Sequence, residues 1–560
     1  MTRVAVGTGV SPGVAVGTAT LLDPASGPPR ERALPAGRPP AAEIDAFATA
    51  REIARAELEG LRERLATSLG ASYGAILDAQ ILLVNDPALV VEAERRIKEE
   101  RVTAAWAVHA VLSGYLERFA AIDDGYLRER GADLKDLERR LLRALASPRG
   151  GGEAPAPPGP TILVGHTIGP SDAVALAREG VVGLVADLGG PTSHTAILAK
   201  AFGVPAVVGL GDLASQASGG ETLLVDGDQG VVIVEPSPAE IDEARRRSDA
   251  SRLRESAWVS AKDLPAVTRD GVEVLLRANV EFLEEAAAAV RFGAAGIGLY
   301  RSEFLYVATA PDFPTEEEQL ATYAELASRV APHPVVIRTL DLGGEKYFHD
   351  VLERAEPNPV LGLRGLRLCL RRPEIFRPQL RALLRAAAGA DVRVLLPLVT
   401  TPGEIREVRR LLKREAEDLA AKGVPCRPDV PLGAMIETPA AAGIADLLAR
   451  EVEFLSVGTN DLIQYALAVD RGNPSVASLY DPLHPAILRM LRSVLRAAAS
   501  RGVPVSLCGE MAADPTLIPV LVGLGFRELS CPPRAVPPVR DAVRALYAAD
   551  SARWEREQET

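Results

Sequence analysis

Aromatic residues make up only 4% of the 560-residue chain, although 47% of it is hydrophobic. Ala, Leu and Val must then fill the interior, which favours helices and parallel strands over an aromatic-rich sandwich. Cysteine is scarce: Cys369, Cys426, Cys508 and Cys531 form no CxxC pair, and their spacing argues against a zinc site or a disulfide framework. A reducing cytoplasm is the expected setting. No uninterrupted apolar run reaches the roughly 18 residues of a membrane span. Met1, Thr2 and Arg3 lead into a short apolar stretch that lacks the apolar core of a signal peptide. Positive charge is also in deficit, with a net charge of -12. This argues against nucleic acid as the main partner, and it requires that any anionic ligand be met by cations concentrated locally.

What is present divides the chain into regions. Its length implies roughly two to four domains. Val4-Ala5-Val6 and Val14-Ala15-Val16 flank Ser11-Pro12-Gly13 and read as a β-hairpin. From about residue 41 to 146 amphipathic helical runs with both charge signs take over, for example over 43–65 and 88–101. We read four helices there, two of them separated at Asn85-Asp86-Pro87. Residues 148–160 are linker-like by composition. Strand-like runs resume at 161–164, 181–186, 206–208, 222–225 and 231–234, so the helical block interrupts one small α/β domain. The stretch 240–259 is charged, has no apolar stripe wide enough for a core, and reads as a connecting helix. Roughly 300 residues follow, somewhat above the ~250 typical of a (β/α)8 barrel. Eight strand candidates lie in them, at 272–280, 296–300, 334–340, 392–399, 432–436, 453–457, 504–507 and 528–531.

The most informative string begins with Gly189-Gly190-Pro191-Thr192-Ser193-His194 and ends with Gly203 and Pro205. A strand precedes it. The glycines allow a tight turn and close approach of a phosphate, Thr192 and Ser193 are good N-caps, and Gly203 with Pro205 stops a helix. His194 is therefore expected in the first helical turn. The helix dipole there disfavours imidazolium and stabilises anions, so a neutral, nucleophilic ring is expected. A lone histidine in such a turn is otherwise a cap or packing residue.

The string resembles the phosphohistidine signature of the phosphoenolpyruvate-utilising family, Gly-Gly-x-Thr-Ser-His. Further motifs resemble, in order, those of the enzyme I family of bacterial sugar phosphotransferase systems, and the resemblance spans nearly the whole chain. It implies that His194 is the phosphorylated residue. It departs at Ala173, in Pro170-Ser171-Asp172-Ala173, where family members commonly carry a threonine whose hydroxyl bonds the histidine. Arg301, Arg338, Lys346 and Arg364 supply cations at or near strand ends, where barrel enzymes gather their active groups. Guanidinium pairs bidentately with carboxylate and phosphate alike. By resemblance, Glu437 and Asp461 bind Mg²⁺, as suits a hard cation. Asn460 donates to the phosphate, Arg471 adds a further cation, and Cys508 protonates enolpyruvate.

The resemblance thus implies a multidomain α/β protein. Its parts are a phosphohistidine α/β domain (1–22 and 148–236), an inserted helical domain that docks the carrier (23–147) and a linker helix (237–260). A phosphoenolpyruvate-binding TIM barrel that also dimerises follows (261–560). It implies phosphoryl transfer from phosphoenolpyruvate to His194 and on to an HPr-type phosphocarrier, by a cytoplasmic homodimer that neither binds nucleic acid nor inserts in a membrane. Three alternatives stay open: a non-catalytic paralogue, a nitrogen-regulatory one, and a phosphoenolpyruvate synthase or pyruvate phosphate dikinase relative without its ATP-binding domain. Residues 23–147 contain no glycine-rich phosphate loop.

Overall fold

The computed structural model describes residues 3–22, 29, 32–35, 37–69, 77–120, 125–146, 159–166, 168, 180–190, 193–217, 219–309, 313–342, 358–470, 473 and 475–551. The chain divides into two compact units, Met1–Glu255 and Ser256–Thr560.

The first unit holds an eight-stranded sheet. Its strands are β1 (Arg3–Val6), β2 (Thr8–Ser11), β3 (Val14–Leu21), β4 (Thr161–Gly165), β5 (Val181–Ala186), β6 (Ala206–Val208), β7 (Thr222–Asp226) and β8 (Val231–Val234). Their order across the sheet is β1-β8-β7-β3-β4-β5-β6-β2. Strands β3 to β6 run parallel, and the remaining pairings are antiparallel. The strand positions follow the sequence pattern closely, but the expected opening hairpin does not form. β1 pairs with β8, β2 with β6, and β3 with β4 and β7. Ser11-Pro12-Gly13 joins strands that lie far apart in the sheet. Local alternation shows that a segment is a strand; it carries no information about which distant edge will bind it.

Between β3 and β4 lie five described helices where four were expected: α1 (Pro40–Leu69), α2 (Asp78–Val84), α3 (Pro87–Glu99), α4 (Ala104–Ala120) and α5 (Gly125–Ala146). The extra one is the seven-residue α2, and the break after it is the one read at Asn85-Asp86-Pro87. Asp86 caps α3 through a 2.8 Å bond from Ala88 N–H, and Pro87 takes the first helical position, which has no use for an N–H. Phe47, Leu58, Leu89, Ile97, Val108 and Leu137 form the buried seam of this block, and the same cluster continues onto the sheet through Leu163 and Leu184. The neighbouring residues Ile162, Val164 and Val185 face the opposite way, into a second cluster with Val207, Val225 and Val232. This is the period-two signature of a sheet covered on both faces. Helix α6 (His194–Phe202) follows β5, and the charged helix α7 (Pro238–Ser260) buries only Ala244.

The second unit is a closed parallel barrel of β9 (Leu275–Val280), β10 (Ile297–Arg301), β11 (Val335–Arg338), β12 (Val392–Leu396), β13 (Leu432–Ile436), β14 (Phe454–Val457), β15 (Val505–Leu507) and β16 (Glu528–Cys531). Closure comes from β16 against β9, with Cys531 opposite Ala278. All eight expected strands are present, each within a few residues of its expected limits. Alternate residues point inward and outward. Leu299, Val336, Leu395, Met435, Phe454 and Cys508 form one cluster. Their neighbours Ile337, Val394, Leu396, Ile436, Leu455 and Leu507 join the large core cluster that also includes residues of the helices. Among the described residues no helix is long and apolar enough to cross a membrane.

Candidate functional site

In the first unit, His194 opens α6 directly after its N-cap, Ser193. The Ser193 hydroxyl donates to Gly190 O at 2.8 Å and accepts from Ala196 N–H at 3.3 Å. Gly203 ends the helix in the left-handed conformation, φ 66°, so that its N–H reaches back to the last carbonyls. The cap and the stop expected around His194 are thus in place. The ring of His194, Thr192 and the 170–173 stretch with Ala173 lie outside the described residues.

In the second unit the expected groups collect at the carboxyl edge of the barrel. Arg301 and Arg338 are the last residues of β10 and β11. Glu437 and Cys508 each follow their strand by one residue. Asn460 and Asp461 occupy the first turn of the helix Thr459–Leu467, just after β14. Arg364 is brought in by its contacts. It bonds Asp341 Oδ2 at 3.1 Å, approaches Asp461 Oδ2 at 3.4 Å, and donates to the Tyr465 hydroxyl at 3.3 Å. Arg338 pairs with the same Asp341 oxygen at 2.8 Å and with Glu303 Oε1 at 2.9 Å. Asp341 therefore joins two guanidiniums. Neither it nor Glu303 nor Tyr465 stood out in the sequence. The available signal was weak: Asp341 lies three residues beyond Arg338, and Glu303 two beyond Arg301. Arg301 is paired with Glu281. The Asn460 amide donates to Glu510 Oε1 at 3.0 Å and accepts from Glu510 N–H at 2.8 Å, so both of its ends are engaged with that residue. Lys346 and Arg471 lie outside the described residues.

Burial and charge set the protonation states. Burial, with Asp341 and Asp461 nearby, raises the Glu437 carboxyl to about 8, against the opposing pull of Arg338 and a 2.6 Å bond from Leu398 N–H. Leu398 adopts φ 51°, a costly left-handed conformation for a branched residue. Burial works against the charge of Arg338, but Glu303 and Asp341 outweigh it and hold the guanidinium firmly protonated. Arg364 is held in the same way, with Asp341 and Asp461 outweighing its burial. Burial raises the Cys508 thiol above its ordinary value, although Ser456 Oγ bonds the sulfur at 3.3 Å and pulls it down. Cys508 is therefore a neutral thiol near pH 7, not a thiolate. Burial pushes Cys369 upward as well and takes Cys531 to about 12, in keeping with inert packing residues, while Cys426 is only half-buried.

Packing at this edge is tight. Gly509 follows Cys508, and a Cβ on it would fall 1.8 Å from Thr459 Oγ1 and 2.7 Å from the Thr459 backbone nitrogen. The Thr459 hydroxyl and Asp341 Oδ1 are both buried without a hydrogen-bond partner. An orphaned carboxylate oxygen, beside a carboxyl that resists ionising, is a donor set suited to a hard divalent cation. Among the described residues no three His, Cys, Asp or Glu side chains form a cage for a metal by themselves. Such a site would complete its shell with ligand oxygens and water.

Three family models match the chain: "PEP-utilising enzyme, N-terminal" over residues 6–130, "PEP-utilising enzyme, mobile domain" over 157–230 and "PEP-utilising enzyme, PEP-binding domain" over 255–547. His194 falls within the mobile-domain match, and the arginine–carboxylate cluster falls within the last. The phosphoenolpyruvate-protein phosphotransferase of Bacillus sp. (strain S) is 38% identical over 91% of this chain and 88% of its own length. That of Cupriavidus necator is 39% identical over 95% of this chain and 93% of its own. An NMR structure of Enzyme I matches 44% of this chain and 99% of its own at 31% identity, with a TM-score of 0.36. With all three models matched in order and full-length relatives at this identity, the chain belongs to the phosphoenolpyruvate-utilising enzymes, in the phosphoenolpyruvate-protein phosphotransferase family.

Proposed function

We propose that the chain accepts the phosphoryl group of phosphoenolpyruvate on His194 and passes it to an HPr-type phosphocarrier, as the first step of a phosphotransferase system in the cytoplasm. The observation that carries this reading is the cluster at the barrel edge. Two guanidiniums there, Arg338 and Arg364, are held charged by a shared carboxylate, within one site that also holds the neutral thiol of Cys508. A ligand with both a carboxylate and a phosphate suits such a pair.

In this reading Arg301, Arg338, Arg364 and Asn460, with Lys346 and Arg471, bind and orient phosphoenolpyruvate. Glu437 and Asp461 would hold Mg²⁺, helped by the orphaned Asp341 oxygen. When bound, that ion neutralises charge on the transferring phosphoryl group. An imidazole nitrogen of His194 attacks phosphorus in line, the bond from phosphorus to the enol oxygen breaks, and enolpyruvate leaves. The Cys508 S–H proton goes to the terminal carbon, which gives pyruvate. A thiol that is neutral before the transfer suits that task.

The proposed division of labour follows the same reading. Residues 1–22 and 148–236 carry the phosphohistidine, 23–147 dock the carrier, and 261–560 bind phosphoenolpyruvate and pair with a second copy. One imidazole must serve two sites, so the phosphohistidine part must move, with 237–260 as the hinge region. Pairing and carrier docking rest on the family alone.

The test is mass spectrometry after incubation with phosphoenolpyruvate and Mg²⁺. The wild type should carry one acid-labile phosphoryl group on His194, and His194→Ala none. Retained label in that variant would refute the reading.

A further inference from the structure

The end of β4 carries a second histidine that the proposed reaction does not use. The Nδ1 of His166 meets Asp187 Oδ2 at 3.2 Å. The two side chains differ sharply in exposure, at 49% for His166 and 0% for Asp187. Asp187 is fixed from its other oxygen, which accepts from Ala214 N–H at 3.0 Å, so its position does not depend on the histidine. A buried carboxylate thus orients an imidazole that is itself about half exposed.

The backbone places this ring beside the segment that carries His194. Leu188 N–H donates to His166 O at 2.9 Å, immediately before Gly189 of the glycine turn. Two residues beyond His166, Ile168 O accepts from the Thr195 hydroxyl at 2.9 Å, and Thr195 is the residue after His194. The exit of β4 is therefore stitched both to the turn before His194 and to the helix turn that contains it. A packing histidine is buried, and a merely solvated one has no buried carboxylate behind it; His166 fits neither description.

We infer that His166, oriented by Asp187, is a positioning residue whose free Nε2 edge donates a hydrogen bond to the phosphoryl group carried on His194. No covalent bond forms or breaks at His166. In this arrangement the Nδ1 edge of the ring is turned to Asp187 and the Nε2 edge to a phosphoryl oxygen. Such a charge-assisted bond withholds the phosphoryl group from water while leaving it transferable.

The inference rests on His194 being the phosphoryl acceptor, and the experiment separates the two claims. Full-length protein is labelled with radioactive phosphoenolpyruvate and Mg²⁺ and quenched with chelator, and the lifetime of the acid-labile label is followed. His166→Leu should take up label fully but lose it about ten-fold faster, the scale of one hydrogen bond to a charged group. His166→Gln keeps an N–H donor near the Nε2 position and should restore the lifetime to within about three-fold. A structural role alone would not distinguish these two variants. A leucine variant as long-lived as wild type, or a glutamine variant as short-lived as leucine, would overturn the inference. His166→Ala replaces the leucine variant if that one does not fold. Label persisting in His194→Ala would instead remove the underlying reading, whatever His166 does.

Discussion

Glu437 shows how one residue's surroundings govern its chemistry. Its carboxyl is raised to about 8 by burial and by two neighbouring carboxylates. The folded chain therefore binds this proton more tightly than the unfolded chain does. Stability falls as pH rises from about 4.5 to about 8, at up to about 1.4 kcal/mol per pH unit from this group. Glu437→Gln removes the ionisation and keeps an acceptor for Leu398 N–H. In chelator, its melting temperature should exceed that of wild type at pH 9, and the difference should shrink toward zero near pH 4.5. A constant offset across that range would show that Glu437 is not the titrating group. Cys508 permits a different separation. Cys508→Ala removes the proposed proton donor but nothing at His194. Exchange of label with a pre-phosphorylated carrier should persist, while pyruvate formation from phosphoenolpyruvate should drop by about 10²- to 10⁴-fold. Equal loss in both assays would contradict the assigned role. Both residues were legible in the sequence from their motifs. The state of each was not, because burial and neighbouring charge arise only on folding.

At the scale of elements, the sequence was most readable where a local rule decides the outcome. Asp86 before Pro87 and Ser193 before His194 start helices because capping involves only a few consecutive residues. The barrel strands were readable because a parallel strand covered on both faces is a short apolar run between turns. The opening hairpin was misread because Val4 and Val14 sit in genuine strands whose partners are more than 200 residues away in sequence, namely Ile233 and Asp226. The turn after β15 carries a sharper requirement. Gly509→Ala would drive a Cβ into Thr459 at 1.8 Å, against both the side chain and the backbone of the helix that carries Asn460 and Asp461. We expect a loss of about 3 kcal/mol or more in denaturant unfolding of the barrel, together with weakened phosphoenolpyruvate turnover. An alanine variant as stable as wild type would show that this edge yields more readily than its packing indicates.

For the whole molecule, the two units have separate buried clusters. Phe47, Leu163 and Val225 belong to clusters confined to the first unit, and Ile337, Val394 and Leu455 to one confined to the second. The division at Glu255 and Ser256 falls within α7, whose single buried residue is Ala244. Cooperativity follows shared burial, so scanning calorimetry should resolve two unfolding transitions. Gly509→Ala should lower only the one that belongs to the barrel. A single transition that shifts as a whole would mean the units are thermodynamically coupled.

By itself the sequence determined the elements and the chemistry they carry: a glycine turn and cap before His194, eight strand-like runs, and arginines and carboxylates at strand ends. Each of these is written in a few neighbouring residues and follows from backbone sterics, periodicity or capping. Only the tertiary structure decided which strands pair, that Asp341 joins Arg338 to Arg364, that Leu398 is strained beneath Glu437, and that Asp187 backs His166. These depend on groups far apart in the chain meeting at 2.6–3.2 Å. At that range burial and Coulomb interactions set proton affinities, and no local pattern records such distances.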